Sequence, residues 1–170
     1  MSVDLGSVGG LEFDRGYAGQ VIDGALAIRR SRVVEAVAGL AWGAPAAQGA
    51  SDGCVPFDGT HTQFVGIAEK NPMHPILDGV TAYAQYDSAA IVEEGPMLIL
   101  AAENARDGDE LLILVDGGTG AVTWGASQGG AANGTTRVAT PGNCTYEGAA
   151  TAGSLAKVVL RAARTAKTTT

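Results

Sequence analysis

The chain has 170 residues and a net charge of −7, with 46% hydrophobic residues, 5% aromatic residues and 25 glycines. This length is enough for one domain with its own core, and the glycine content indicates many turns and little long helix. No segment reaches the ~18 uninterrupted apolar residues of a transmembrane helix, so we predict no membrane partner.

The charge is unevenly distributed along the chain. Residues 52–116 contain twelve acidic and two basic residues, whereas residues 117–170 contain one acidic and five basic residues. An acidic body binds a phosphate backbone poorly, and the basic end has no interleaved aromatic residues, so we predict no nucleic-acid partner. The acidic N-terminus lacks the basic and apolar regions of a secretory signal, so we expect synthesis in a cytoplasm.

The N-terminal part is rich in Gly and Asp. Residues 1–24 are predicted to form an extended arm, because their scattered apolar residues do not suffice for a packed element. Residues 25–38 are ambiguous, since their apolar residues fit either a short helix or a strand around three arginines. A short strand from Leu40 to Gly43 then leads into a turn of small residues.

From Val55 onward, apolar runs alternate with turns. The predicted strands are FVGIAEK (64–70), VTAYAQY (80–86), AAIVEEG (89–95), PMLILAA (96–102), ELLILVD (110–116) and AVTWGA (121–126). Two prolines make residues 71–79 a loop, because proline cannot donate to a strand ladder. Further turns are predicted at Gly95, at Asp107-Gly108 and at GGTG (117–120). Sequential strands with such short links normally pair antiparallel.

The last part of the chain completes the predicted sheet. Residues 127–137 form a long polar loop in this interpretation, and CTYEGAA (144–150) and SLAKVVLRA (154–162) are the closing strands. The fold class is therefore mainly β, a small antiparallel β-barrel or sandwich with an extended N-terminal arm and little helix. Residues 25–163 form a single domain, and residues 164–170 form a flexible tail.

The strand periodicity also predicts buried residues. Leu98 and Ile99 are adjacent in one strand, and Leu112 and Ile113 are adjacent in another. Because side chains alternate between the two faces of a strand, at least one member of each pair should point into the core.

No pattern typical of a catalytic or cofactor site is complete. GGTG (117–120) lacks the third glycine and the following helix of a dinucleotide-binding fingerprint. His61 and His74 are separated by a proline loop and match no metal-ligand spacing. Lys70 lacks the flanking pattern of a biotinyl or lipoyl carrier lysine, and the acidic residues fall on consecutive turns rather than across a glycosidase cleft. We therefore predict no enzyme activity, no catalytic residue, no metal and no cofactor.

The order of features resembles the structural cement or head-decoration proteins of tailed bacteriophages. The matching elements are GYAGQVID (16–23), GLAWGAPAAQG (39–49), FVGIAEK (64–70), the Tyr86-Asp87 turn before AAIVEEGPMLILA, the DGDELLILVDGGTGAV hairpin and AGSLAKVVL (152–160). The resemblance covers about residues 11–160. It implies a small β protein that binds the outer surface of the expanded head and cross-links major capsid subunits.

The resemblance also implies a partner and a location. The expected partner is the major capsid protein, and the protein should be a homo-oligomer on the virion, with a trimer favoured and a dimer as the alternative. The expected capsid-binding residues are Tyr17, Gln20, Asp23, Arg29, Arg30 and Arg32. The alternative function is a non-catalytic carbohydrate-binding β-sandwich module, which would need exposed Trp or Tyr surfaces.

Overall fold

The computed structural model of the protein describes residues 16–61, 63–70, 81–127, 135–140 and 144–161. About 52% of these residues are strand and 2% are helix, so the prediction of a mainly β fold with little helix is confirmed. Within the described ranges, a 3-10 helix (Gly24–Leu26) is followed by β1 (Ile28–Val33), β2 (Leu40–Ala41), β3 (Pro45–Gln48), β4 (Cys54–Pro56), β5 (Phe64–Ala68), β6 (Ala82–Tyr83), β7 (Ser88–Leu100), β8 (Leu111–Asp116), β9 (Val122–Ala126), β10 (Thr135–Ala139), β11 (Thr145–Tyr146) and β12 (Leu155–Leu160).

The 13-residue strand β7 is the centre of the largest sheet. Its N-terminal half pairs with β1 and with β5, and its C-terminal half pairs with β12, all antiparallel. Residues 19–22 also bond to the C-terminal half: the Gly19 N–H donates to the Leu98 carbonyl over 2.8 Å, and the Ile22 N–H donates to the Pro96 carbonyl over 3.0 Å. Both edges of β7 are therefore paired along most of its length.

Three sheets are stacked around two apolar clusters. The seven-stranded sheet contains β11, β12, β7, β5, β3, β4 and β1; a second sheet has the order β10-β8-β9, and β2 pairs with β6. The larger cluster includes Phe64, Ile67, Met97, Ile99, Ile113 and Trp124, and the smaller one includes Val34, Leu40, Val65, Ala68, Tyr83 and Ile91. The antiparallel sheets are sandwich-like and do not close into a barrel within the described residues, so the sandwich, of the two predicted alternatives, is confirmed.

The four predicted core positions behave as the alternation requires. Ile99 and Ile113 are fully buried, and Leu112 is nearly so, while Leu98 is half-buried. At least one member of each adjacent pair therefore lies in the core, which confirms the prediction. The ambiguous stretch 25–38 contains a strand, β1, preceded by the single-turn 3-10 helix.

The predicted turn at Gly95 is wrong. The chain continues through Gly95 and Pro96 as one strand, because Gly95 lies opposite Leu160 and Pro96 lies opposite Val159 of β12. Gly95 has φ of +121°, and a Cβ there would lie 2.8 Å from the Leu26 carbonyl oxygen and from the Ala27 Cα. Glycine is thus needed here because the backbone of residues 26–27 lies close to it, and not because the chain turns.

Three other assignments differ from the sequence-based predictions, and the first is the turn of small residues predicted after Gly43, which contains the strand β3 (Pro45–Gln48). In the described part of the predicted strand 80–86, Ala82–Tyr83 is strand and residues 84–87 form a turn, while Val80 lies outside the described residues. Residues 135–137, predicted to be loop, belong to β10, which pairs with β8. The predicted loop 71–79, the tail 164–170 and the first 15 residues of the arm lie outside the described residues.

Replacing Ile99 by Ala should lower the free energy of unfolding by about 2–5 kcal/mol, because the side chain is fully buried and its removal leaves a cavity. The matched control is Leu100→Ala, one residue further along the same strand and 54% exposed, which should change stability by less than about 1 kcal/mol. Urea denaturation measures both values. Equal effects of the two substitutions would contradict the assigned orientation of β7.

Gly95→Ala should destabilise the protein by about 3 kcal/mol, because the new methyl group meets backbone atoms and the positive φ disfavours alanine. Gly108→Ala isolates the conformational part of this effect, since Gly108 has φ of +83° with no atom within 4 Å of an added Cβ. The control should cost only about 1 kcal/mol. Thermal unfolding of the two variants side by side measures the difference, and a Gly95→Ala variant as stable as the control would refute the close approach.

Candidate functional site

The six residues predicted to contact a partner lie on two segments that run alongside β7 in the structure. Tyr17, Gln20 and Asp23 belong to residues 16–24, which lie along the C-terminal half of the strand. Arg29, Arg30 and Arg32 belong to β1, which lies along the N-terminal half. The structure therefore brings the two groups to neighbouring parts of one surface, separated by the 3-10 helix. Their role in binding stays a prediction.

Tyr17 is fastened to the body by Lys70. The ammonium nitrogen of Lys70 lies 3.8 Å from the centroid of the Tyr17 ring and 5.3 Å from that of the Trp42 ring. Trp42 in turn packs edge to face against Tyr83, whose hydroxyl donates to the Glu69 carbonyl over 2.6 Å. A cation between two aromatic rings is attracted to both, so Lys70 joins the start of the described chain to the smaller core.

Gln20 and Asp23 organise the backbone around them. The Tyr17 N–H donates to Oε1 of Gln20 over 3.3 Å, and the Ala25 N–H donates to Oδ1 of Asp23 over 3.0 Å. Asp23 thereby caps the 3-10 helix. Both side chains hold the local path of the chain.

The three arginines of β1 differ in the charge they present to solvent. Arg29 pairs with Glu69 over 2.7 Å, and its side chain is 37% exposed. Arg30 and Arg32 share Glu93, at 3.1 Å and 3.8 Å, with side chains 59% and 11% exposed. Arg30 is therefore the most accessible of the three cations.

The Arg32 side chain makes contacts with other residues of its own chain. Its Nη1 donates to Oε1 of Gln48 over 2.8 Å and to the Asp52 carbonyl over 3.3 Å. Nearby, the carboxylate of Glu35 accepts three backbone N–H groups from the loop between β3 and β4, those of Ala50, Ser51 and Gly53. These bonds tie the end of β1 to the loop between β3 and β4.

The described residues considered for metal binding, His61 and Asp58, bond to each other and to the backbone next to them. Nδ1 of His61 lies 3.0 Å from Oδ2 of Asp58, whose other oxygen accepts the N–H groups of Thr60 and His61. Burial pushes the pKa of Asp58 upward, but the hydrogen bonds outweigh it and the pKa is lower than usual. In the described ranges no three His, Cys, Asp or Glu side chains are grouped to hold a metal, and His74 lies outside them.

The acidic turns likewise use their carboxylates to bind backbone. Oδ2 of Asp109 accepts the Arg106 N–H over 2.8 Å, and Oδ1 of Asp107 accepts the Gly148 N–H over 2.8 Å. Glu103 pairs with Arg137 and also accepts the Ala126 N–H. Each of these three carboxylates therefore accepts a backbone N–H group.

The cysteines and tryptophans are mostly internal. Cys54 and Cys144 are free and buried, and burial raises the pKa of the Cys54 thiol to about 11. Trp124 is 3% exposed and donates to the Gly43 carbonyl over 2.7 Å. Trp42 is half-buried under Lys70, so neither tryptophan offers the open flat surface on which a sugar ring would stack.

The two most exposed large hydrophobic side chains of the described residues were not among the predicted site residues. Tyr86 is 76% exposed and Val37 is 85% exposed, and both lie at turns. The Tyr86-Asp87 turn is recognisable in the sequence, but the juxtaposition of the two turns depends on strand pairing and has no local signal.

The chain matches the family described as "Structural cement protein (E217 gp24/Pam3 gp6)" over residues 7–161. This range contains every strand from β1 to β12. No curated protein matches the chain. In the described residues, no helix has the length and apolar character needed to cross a membrane.

Replacing Lys70 by Met should loosen residues 16–22, because the variant keeps the length of the side chain but removes the cation between the two rings. The amides of Gly19 and Ile22 should exchange with solvent about 2- to 30-fold faster, in line with a cation–π interaction of ~0.5–2 kcal/mol. Hydrogen exchange by NMR measures this, with the Leu111 amide, which donates to the Cys144 carbonyl, as internal reference.

Lys157→Met is the matched control, since the Lys157 ammonium pairs with the Glu147 carboxylate. It should leave the exchange of Gly19 and Ile22 unchanged. If Lys70→Met also leaves both amides as protected as in the wild type, Lys70 does not fasten this segment.

Proposed function

The chain belongs to the phage structural cement protein family, and from that membership we propose that it binds the outer surface of the expanded head and cross-links neighbouring major capsid subunits. A role as a capsid cement protein of the virion follows from the family itself. The observation that carries the finer proposal is the extent of the family match, which includes the complete strand framework. The whole body, and not one shared motif, is therefore of the cement type.

The structure supports this proposal through its rigidity. A protein that holds subunits together must transmit force between its contacts without deforming. β7 is paired along most of both edges, and its side chains contribute to both apolar clusters. A packed sandwich of this kind resists deformation because interiors are close-packed.

The N-terminal arm is the proposed means of reaching a neighbouring subunit. Its described part, residues 16–24, lies on β7 of the same chain, so the reach would come from residues 1–15. Fifteen residues span at most about 50 Å when fully extended. This is enough to lie on an adjacent subunit and add a strand to its sheet edge.

The proposed contact surface next to the arm contains the six residues predicted from the sequence. They are Tyr17, Gln20, Asp23, Arg29, Arg30 and Arg32. Arg30 is the best candidate for an ion pair with an acidic shell surface, because 59% of its side chain is exposed. The other two arginines contribute mainly through the geometry of β1.

Oligomerisation is part of the proposal. A trimer at local three-fold positions, with a two-fold dimer as the alternative, would engage several shell subunits at once and multiply weak single contacts. The protein would be made in the host cytoplasm and act without enzyme activity, cofactor, nucleic acid or membrane. A family described as structural supports the non-catalytic role.

A pelleting experiment tests the proposal. Purified protein is mixed with expanded shells and with unexpanded precursor shells of the phage that encodes it, and both are sedimented. We expect saturable binding to expanded shells and higher heat resistance of the decorated shells. Deleting residues 1–15 should weaken binding at least ~10-fold through lost multivalency while shifting the melting temperature little.

A pair of charge-reversal variants and a mass measurement complete this test. Arg30→Glu should weaken binding, whereas Lys157→Glu, at a lysine outside the proposed surface, should not. Light scattering should give about three times the chain mass of 17.1 kDa for a trimer. Absence of binding to either shell, or turnover of a glycan or ester by the free protein, would contradict the proposed function.

A further inference from the structure

Two turns lie side by side at the end of β1 and form what we call the two-turn tip, residues 35–39 and 84–87. Each turn is closed by a backbone hydrogen bond, from the Gly39 N–H to the Ala36 carbonyl over 3.0 Å and from the Asp87 N–H to the Ala84 carbonyl over 3.2 Å.

The two turns are locked together at both ends. At one end the Val34 N–H donates to the Asp87 carbonyl over 2.9 Å, and the Tyr86 N–H donates to the Val34 carbonyl over 2.7 Å. At the other end Leu40 of β2 pairs with Tyr83 of β6. The tip is therefore a defined structure attached to the sheet.

The tip presents two apolar side chains to solvent. Tyr86 is 76% exposed and Val37 is 85% exposed, the two highest values among the large hydrophobic residues that the structure describes. Neither belongs to an apolar cluster. Their side chains contribute little to the stability of the fold.

Tyr86 is also held in a conformation that disfavours it. Its φ is +69°, and it is the only residue other than glycine with positive φ in the described ranges. Glycine or asparagine is normal at such a position. A tyrosine that is both exposed and strained gains nothing from the fold, and strain of this kind is found where function retains a residue.

The polar side chains of the tip are used internally. Nε2 of Gln85 donates to the Glu35 carbonyl over 3.1 Å, and Oδ2 of Asp87 accepts the Ala84 N–H over 2.8 Å. The Glu35 carboxylate is occupied by three N–H groups of residues 50–53. The ring and hydroxyl of Tyr86 and the Val37 side chain are what the tip offers to a partner.

We propose that the two-turn tip is a docking contact for the capsid protein, with Tyr86 and Val37 entering an apolar depression of the shell surface that has a hydrogen-bond partner for the Tyr86 hydroxyl. This inference rests on the proposed function and names one surface that performs it. Tyrosine is enriched among the residues that dominate binding at protein interfaces.

The chemistry of the tip favours this occupant over others. A glycan requires free polar side chains around the aromatic ring, whereas Nε2 of Gln85, Oδ2 of Asp87 and the Glu35 carboxylate are bonded within the fold. A nucleic acid requires cations, and residues 35–39 and 84–87 contain no lysine or arginine.

A second copy of the chain is disfavoured by the size of the contact. Two side chains bury at most a few hundred Å², whereas a stable dimer needs about 800 Å² per partner. A repeating shell makes a small contact effective, because several copies or several contacts act together.

Tyr86→Gly separates binding from stability. Glycine accepts the positive φ, so the variant should melt at the wild-type temperature or above it, yet bind expanded shells at least ~10-fold more weakly. Val37→Ser should weaken binding several-fold, and Tyr86→Phe should weaken it by about 2- to 10-fold, less than Tyr86→Gly, because it keeps the ring and loses only the hydroxyl hydrogen bond. Leu100→Ala, at an exposed apolar position elsewhere in the structure, is the matched control and should bind like the wild type.

The outcomes are distinguishable. Wild-type protein that fails to pellet with shells overturns the proposed function and this inference with it, whereas wild-type binding with undiminished binding by Tyr86→Gly and Val37→Ser overturns the tip alone. A large loss of melting temperature in Tyr86→Gly would show that the tyrosine serves the fold. A change of oligomeric mass in Tyr86→Gly would make a second copy the occupant and refute the shell contact.

Discussion

The backbone pairing of β7 is the constraint on which the rest of the structure depends. A strand buried between layers must satisfy its N–H and C=O groups on both edges, because an unpaired buried amide is costly. β1 and β5 provide this along its first half, and β12 and residues 19–22 provide it along the second. The positions of these four segments, and therefore of the surfaces they carry, follow from the one strand.

Because of this arrangement, the side chains that can contact a partner lie at the surface and not on the central strands. The alternation of side chains along the central strands fills two apolar clusters, so the groups available to a partner lie on β1, on residues 16–24 and on the turns. In the described structure the arginines of β1 are largely paired with Glu69 and Glu93. Shape, aromatic contact and multiplicity therefore matter more in the proposed binding than a strong positive charge.

The acidic composition has a structural explanation as well. Several carboxylates accept backbone N–H groups at turns, as Asp58, Asp87, Asp109 and Asp116 do. Aspartate favours such turns because its short side chain reaches an N–H two or three residues away in the chain, on either side. A chain with many short strands needs many turns, so part of its acidity is a consequence of the fold and not a sign of a charged partner.

The sequence by itself determined the strand-rich class, most strand positions, the buried residues and the family resemblance, because period-two alternation and turn residues are local signals. Tertiary structure decided where those signals conflict or are absent. Gly95-Pro96 is typical of a turn, yet pairing with β12 keeps β7 continuous. The sequence of residues 25–38 fits either a helix or a strand, and pairing with an edge of β7 makes part of it the strand β1. The strained φ of Tyr86 and its placement beside residues 35–39 arise from hydrogen bonds between segments some 50 residues apart, which no local pattern encodes.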